Sequence, residues 1–234
     1  MKEIFVIKYN GKRQLYDRQK VLSSILHSGV QKNKVLEILK KIEGKLYNNI
    51  SSKELYQIVS REIEKYGLKQ HSRTYRLREA LSRLDSSDFE KFVKAFLEKG
   101  GFKCIWNQKI QGYCIDHQVD VIAEKNNETF FVEVKKHKNF HRDSGLGTVT
   151  ELWARLEDLQ KGFKNGKTDI NIANAWLITN TKFSDYAKKY SNCKGMKLLG
   201  WRYNSSAQNK TEGLEKMIEG LGIGMVAEIV KNLR

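Results

Sequence analysis

Two carboxylates and a lysine are spaced for chemistry in the stretch 118–135, QVDVIAEKNNETFFVEVK. Val119, Val121 and Ile122 begin one apolar strand, and Phe130, Phe131, Val132 and Val134 supply a second. Asn126-Asn127 lies between them, and asparagine tolerates the left-handed backbone that a two-residue hairpin loop requires. With that loop Lys125 faces Glu128, Asp120 falls opposite Glu133, and Gln118 falls opposite Lys135. Residues two apart in a strand share a face, so these four predict one polar cluster. Directly opposed side chains have Cβ atoms roughly 4.5–5.5 Å apart, and like charges placed so repel. A cation between Asp120 and Glu133 relieves that repulsion. Lys135 supplies one charge, and a hard, oxygen-seeking divalent ion such as Mg²⁺ supplies more. The plainer alternative is an exposed hairpin face that carries these charges by chance.

Asp120 followed by Glu133-Val134-Lys135 resembles the PD-(D/E)XK nuclease signature, closest to its Mrr-like branch of restriction endonucleases. The resemblance implies a Mg²⁺- or Mn²⁺-dependent DNA endonuclease. Asp120 and Glu133 would hold the metal, and Lys135 would stabilise the attacking hydroxide or the charged transition state. Glu90 has two readings. Ser87 followed by Glu90 forms a capping box, which needs no further role; in the Mrr-like family a glutamate on this helix points into the active site. His117 precedes the cluster, where a lone histidine often serves only as a hydrogen-bonding partner. Nucleases fused to an ATP-cone resemble this chain in carrying a His-Glu-x-Asp run here, and this chain has His117-Gln118-Val119-Asp120. Gln118 thus puts an amide where that run has a carboxylate.

The 234 residues carry 43 Lys and Arg against 27 Asp and Glu, a net charge of +16. Such a field suits a polyanion, whether DNA, RNA or nucleotide phosphates. Hydrophobic residues make up 40% of the chain; that supports a packed core, and no run is long enough to span a bilayer. Cys104, Cys114 and Cys193 are scattered without zinc-type spacing, which points to a reducing, cytoplasmic setting.

The elements that must position the cluster fall on both sides of it. Residues 4–9 alternate as a strand, Asn10-Gly11 is a hairpin turn, and Gln14 to Tyr16 returns. Asp17 caps a helix ending at Gly29. A second helix covers 34–46, a third starts from Ser51 or Ser52 and stops at Gly67, and a fourth covers 73–84. This layout over about residues 3–84 resembles an ATP-cone, a nucleotide-sensing module, through Val6-Ile7-Lys8, Asn10-Gly11, Asp17 and Lys20-Val21. The resemblance implies ATP or dATP as an effector, with Lys8, Tyr9, Gln14, Asp17 and Lys20 as the nucleotide-binding set. Tyr9 stands where a second basic residue often follows the lysine, and Gln14 where an acid is common. A hairpin-helical domain that only dimerises or docks DNA is the alternative.

Beyond Leu84-Asp85-Ser86-Ser87, the pattern predicts a helix over Phe89, Phe92, Val93, Phe96 and Leu97 that ends at Gly100-Gly101. A strand over 102–111 follows, then the hairpin and a basic loop at 136–142. A helix at 148–163, a buried strand at 175–179, a helix at 183–190, a strand at 196–201 and two amphipathic tail helices complete the chain. The expected class is α/β: an N-terminal hairpin-plus-helical domain over 1–85, a mixed-sheet restriction-endonuclease-like core flanked by helices over 86–205, and a helical appendage over 206–234. The expected partners are DNA, a nucleotide and further copies of the chain. A nucleotide-sensing DNA-binding regulator with a degenerate nuclease core, or an RNA-binding protein, are the rival readings.

Overall fold

The computed structural model describes residues 3–8, 11–27, 30–66, 80–139, 142–221 and 229. The chain folds as two units, Met1–Arg76 and Leu77–Arg234. Among the described residues no helix is long and apolar enough to cross a membrane.

In the first unit β1 (Phe5–Ile7) and β2 (Arg13–Leu15) pair antiparallel, Val6 opposite Gln14. β3 (Ile50–Ser51) joins the other side of β1 in parallel. The helices α1 (Arg18–His27), α2 (Lys32–Glu43) and α3 (Ser52–Glu64) bury Val21, Ile25, Ile38, Leu39, Ile42 and Ile63 in one core. The caps follow the sequence. Asp17 accepts the Lys20 amide at 3.1 Å, and Ser51 accepts the Glu54 amide at 3.0 Å, each satisfying a donor that the first helical turn leaves open. The expected Asn10 turn residue, the helix ends at Gly29 and Gly67 and most of the fourth helix lie outside the described residues.

The second unit is a six-stranded mixed sheet in the order β11-β10-β8-β6-β5-β4. It comprises β4 (Lys103–Gln111), β5 (Asp116–Lys125), β6 (Glu128–Lys135), β8 (Ile172–Thr179), β10 (Lys197–Gly200) and β11 (Tyr203–Asn204). β7 (Asp143–Ser144) and β9 (Lys182–Phe183) form a separate parallel pair. α4 (Ser86–Lys99) lies on one face, packing Phe89, Phe92 and Phe96 against Val121, Val132 and Trp176. α5 (Leu146–Lys164) and α6 (Asp185–Lys194) lie on the other, where Leu152, Leu156 and Leu159 meet Val119, Phe131 and Leu177. α7 (Leu214–Leu221) adds Leu214 and Ile218 to the α4 side, so this part of the tail belongs to the core of the unit. The Gly-rich turn predicted after Leu221 lies outside the described residues.

The β5–β6 hairpin has the expected register. Asn126 and Asn127 take φ of 54° and 63°, the left-handed pair of a type I′ turn, and Lys125 faces Glu128. One helix start differs from expectation. Asp85, not Ser87, caps α4 through a 2.7 Å bond from the Asp88 amide. The helix therefore begins earlier, and Glu90 has no capping duty.

Candidate active site

Asp120 and Glu133 meet where the central hairpin comes apart. The β5–β6 ladder runs from Lys125–Glu128 to Val121–Val132 and stops one step before Asp120. Asp120 Oδ2 instead accepts the Val134 amide at 2.8 Å, so a side chain satisfies a backbone donor that the ladder leaves free. The neighbouring strand is disturbed at the same level. Asn107 has φ of 54°, and the β4–β5 pairing passes from Trp106–Val121 to Gln108–Val119 without an Asn107–Asp120 pair. Val119 packs toward α5 whereas Val121 packs toward α4, although a regular strand puts both on one face. The alternation reverses across Asp120. Irregularities of this kind re-aim side chains and are enriched next to active sites.

Glu133 is two residues from the end of β6, on the face that carries Phe131. Lys135 follows on the same face and is exposed. Glu133 Oε2 accepts Arg155 Nη1 at 2.6 Å, and both side chains are mostly buried, 17% and 19% exposed. Burial pushes the Glu133 carboxyl above its usual range, and the charge of Asp120 pushes it further. Asp120 is raised for the same leading reason, with Glu90 adding to it. Glu90 on α4 is also raised, first by burial and then, against the indole N–H that Trp106 donates at 3.1 Å, by the charge of Glu133. Three carboxyls thus raise one another's proton affinity, which is where functional sites are sought.

Among the described residues no three His, Cys, Asp or Glu side chains form a ready metal cage. A hexacoordinate Mg²⁺ needs none, since it commonly takes one or two carboxylates and keeps waters and substrate oxygens for the rest. Asp120 is engaged through Oδ2 and Glu133 through Oε2, so each keeps a second oxygen for another ligand. Two half-buried, mutually repelling carboxylates are a donor set that fits such an ion.

The raised acids set a sign for stability. A carboxyl whose folded value lies above its unfolded one binds protons more tightly when folded. Stability is then lost as pH rises from the ordinary carboxylate range near 4 through the raised folded value. In EDTA, Asp120→Asn is therefore expected to melt a few degrees above the parent at pH 8, with the gap closing toward pH 4. The amide oxygen can still accept the Val134 bond. A scan in which the variant is no more stable at pH 8, or in which the gap widens on acidification, would contradict this account.

Two expected members do not join the cluster. His117 is buried on the α5 side, where its Nε2 meets Asp158 Oδ2 at 2.8 Å. Asp158 also accepts the Cys114 amide at 2.9 Å. Burial alone would raise Asp158, but the bonds from His117 and Cys114 outweigh it and hold the carboxyl down at about 2. α5 comes so close here that a Cβ on Gly162 would lie 2.8 Å from the Gly112 carbonyl carbon. His117 thus fastens the β4–β5 turn to α5. Gln118 is exposed and donates to Asn107 Oδ1 at 2.7 Å. Its pairing with Lys135 is absent from the described ladder.

After Lys135 the basic loop is tied to the end of β8. Thr179 Oγ1 donates to the Lys135 carbonyl at 2.6 Å. Asn180 exchanges two bonds with the His137 backbone, at 2.9 and 2.8 Å. His137 Nε2 lies 3.1 Å from Ser144 Oγ. The loop members Phe140 and His141 lie outside the described residues.

Sequence reasoning missed Arg155, Asp158 and Trp106. Arg155 and Asp158 flank the apolar stripe of α5, three residues apart, and polar residues at the margin of a buried stripe are the signal available for them.

In the first unit Lys8, Gln14, Asp17 and Lys20 line a single cavity of about 190 Å³, floored by Val6 and Val21. Lys20 Nζ lies 3.4 Å from Asp17 Oδ2. Tyr9 lies outside the described residues.

The family described as Mrr_cat, restriction endonuclease, matches residues 81–200, just over half of the 234. The chain belongs to this restriction endonuclease family. The matched span holds α4, the whole β4–β5–β6 meander and α5, so Glu90, Asp120, Glu133, Lys135 and Arg155 all lie within the Mrr_cat domain. An uncharacterized protein of Archaeoglobus fulgidus is 38% identical over 127 residues, covering 54% of this chain and 65% of that protein. The chain thus spans just under two thirds of the relative. The crystal structure of AF1548, a protein of unknown function, is 34% identical with a TM-score of 0.50, covering 59% of this chain and 67% of that one. The mixed α/β core and the family match together give the second unit a restriction-endonuclease-like fold.

Proposed function

We propose that the chain is a metal-dependent DNA endonuclease, with its nuclease chemistry at Asp120, Glu133 and Lys135 and its activity or assembly responsive to ATP or dATP. The observation that carries the nuclease reading is the carboxylate pair at the break in the β5–β6 ladder, inside an Mrr_cat domain. Asp120 and Glu133 would hold Mg²⁺ or Mn²⁺. Such an ion would lower the pKa of a bound water, so that the attacking hydroxide forms more readily, and would offset charge on the phosphate. Lys135 stands at the carboxyl end of the same strand, exposed and two residues on, and would donate to the phosphate oxygens as their charge grows. Glu90, held by Trp106, would add a third carboxylate to the rim. The net charge of +16 favours a polyanionic substrate.

The effector reading rests on the cavity that Lys8, Gln14, Asp17 and Lys20 share at the start of α1. A helix N-terminus with free amides favours phosphate, and two lysines there add charge-assisted donors. The deciding assay is supercoiled plasmid incubated with the full chain in Mg²⁺, in EDTA, and in Mg²⁺ with and without ATP. Nicking or linearisation in Mg²⁺ alone, absent in EDTA and altered in rate by ATP, is the expected result. Intact plasmid under all conditions, with DNA still bound, would favour a nucleotide-sensing DNA-binding regulator instead.

A further inference from the structure

Arg155 is the most firmly held cation near the two carboxylates. Its Nη1 donates to Glu133 Oε2 at 2.6 Å, and its Nη2 donates to the Gln118 carbonyl. Its guanidinium lies over the Phe131 ring, 4.7 Å from the centroid. α5 presents it one turn before Asp158, which in turn fixes the β4–β5 turn through His117 and Cys114. These contacts span the break in the hairpin. Gln118 is on β5 and Glu133 on β6, and the backbone ladder between those strands has already ended at Val121–Val132. A planar fork with several donors is suited to joining two fixed acceptors, and a lysine ammonium is not.

Two roles are open to a cation in this place, and they have opposite consequences. As a stand-in for metal, Arg155 would compete for Glu133, and removing it would tighten metal binding. As a strut, it would fix the Glu133 carboxylate and the β5–β6 gap, and removing it would weaken metal binding. The geometry favours the strut. Arg155 occupies one oxygen of Glu133 and leaves the other, and its second bond goes to a backbone carbonyl, which a competing counter-ion would not need. Partners that orient a first ligand in this way contribute substantially to affinity.

We infer that Arg155 is a positioning residue, which bridges Gln118 on β5 to Glu133 on β6 and so sets the spacing at which Asp120 and Glu133 take a divalent ion. This rests on the metal-dependent reading above. The test is calorimetric titration of Mn²⁺ into the metal-free full chain, its Arg155→Met and Arg155→Lys variants, and Asp120→Asn as a site control. A melting curve in EDTA for each records whether the fold is intact. The expected result is measurable Mn²⁺ binding by the parent, lost in the Asp120→Asn control and weakened by about 10- to 100-fold in both Arg155 variants. Lysine fails although it keeps the charge. Tighter binding by Arg155→Met overturns the inference in favour of competition. Unchanged binding with a lowered melting temperature overturns it in favour of a purely structural role. Absence of Mn²⁺ binding by the parent removes the metal site itself, and the inference with it. Should Arg155→Met fail to fold, the Arg155→Lys titration decides alone, since competition predicts parent-like affinity for lysine and the strut predicts a loss.

Discussion

Glu133→Ala is expected to abolish plasmid cleavage while DNA binding in a gel shift stays close to that of the parent. Glu133 is half-buried beside Asp120, with its proton affinity raised mainly by desolvation and then by that neighbour. A carboxylate in such a setting is costly unless something cationic compensates it. Arg155 does so in part through one oxygen. A divalent ion would complete the compensation, and losing one of its two carboxylates leaves too little to hold it. Lys135→Ala should behave differently. Lys135 is exposed and acts on the carboxylates through its charge alone, as the last and weakest of the influences on each, so the metal should still bind while the rate falls by on the order of 10²-fold or more, the usual size for a lost donor to transition-state charge. Full separation of the two effects needs single-turnover cleavage beside Mn²⁺ titration. If purified Glu133→Ala cuts as fast as the parent, the activity belongs to other residues or to a contaminant.

The hairpin was legible because its signals are local. Two asparagines with left-handed backbone fix the loop, the loop fixes Lys125 against Glu128, and the register brings Asp120 level with Glu133. The break at Asp120 was not legible. Its cause sits on a different strand, where Asn107 turns left-handed and the side chains of β4 and β5 change faces. A positive φ at one asparagine within a strand of otherwise alternating exposure leaves no trace in an alternation count. His117 was misplaced for a related reason. Proximity in sequence put it beside the cluster, but the face change and the approach of α5 give its ring to Asp158. Arg155 could not be found from spacing at all, because it lies 22 residues beyond Glu133 on another element. Glu90 shows the reverse case. Ser87 and Glu90 satisfy a capping pattern, yet Asp85 is better placed to accept the first free amides, so the glutamate is released toward Trp106.

Millimolar ATP or dATP is expected to raise the melting temperature of the first transition of the full chain, and Lys8→Ala combined with Lys20→Ala is expected to remove the whole shift. The first unit has its own core of α1, α2 and α3, so a ligand that binds only its folded form stabilises it by mass action. At 100 times the dissociation constant this amounts to about 2.7 kcal/mol, enough for a shift of several degrees in a small domain. Lys8 and Lys20 reach one cavity from the end of β1 and from α1, respectively. Lys20 is shared with Asp17, whose carboxyl is held down first by its bond to the Lys20 amide and then, against burial, by the Lys20 side chain. An incoming triphosphate must therefore compete with Asp17 for Lys20, and Asp17→Asn should strengthen the shift rather than abolish it, since the amide oxygen can still cap α1. That opposite sign separates phosphate binding from general disruption of the helix start. A nucleotide that merely binds regulates nothing; it must bind two states of the protein unequally. The same double variant should thus lose any effect of ATP on cutting rate or on assembly size measured by light scattering. A melting curve and a calorimetric trace both unmoved at millimolar ATP would leave the first unit as a docking or dimerisation domain.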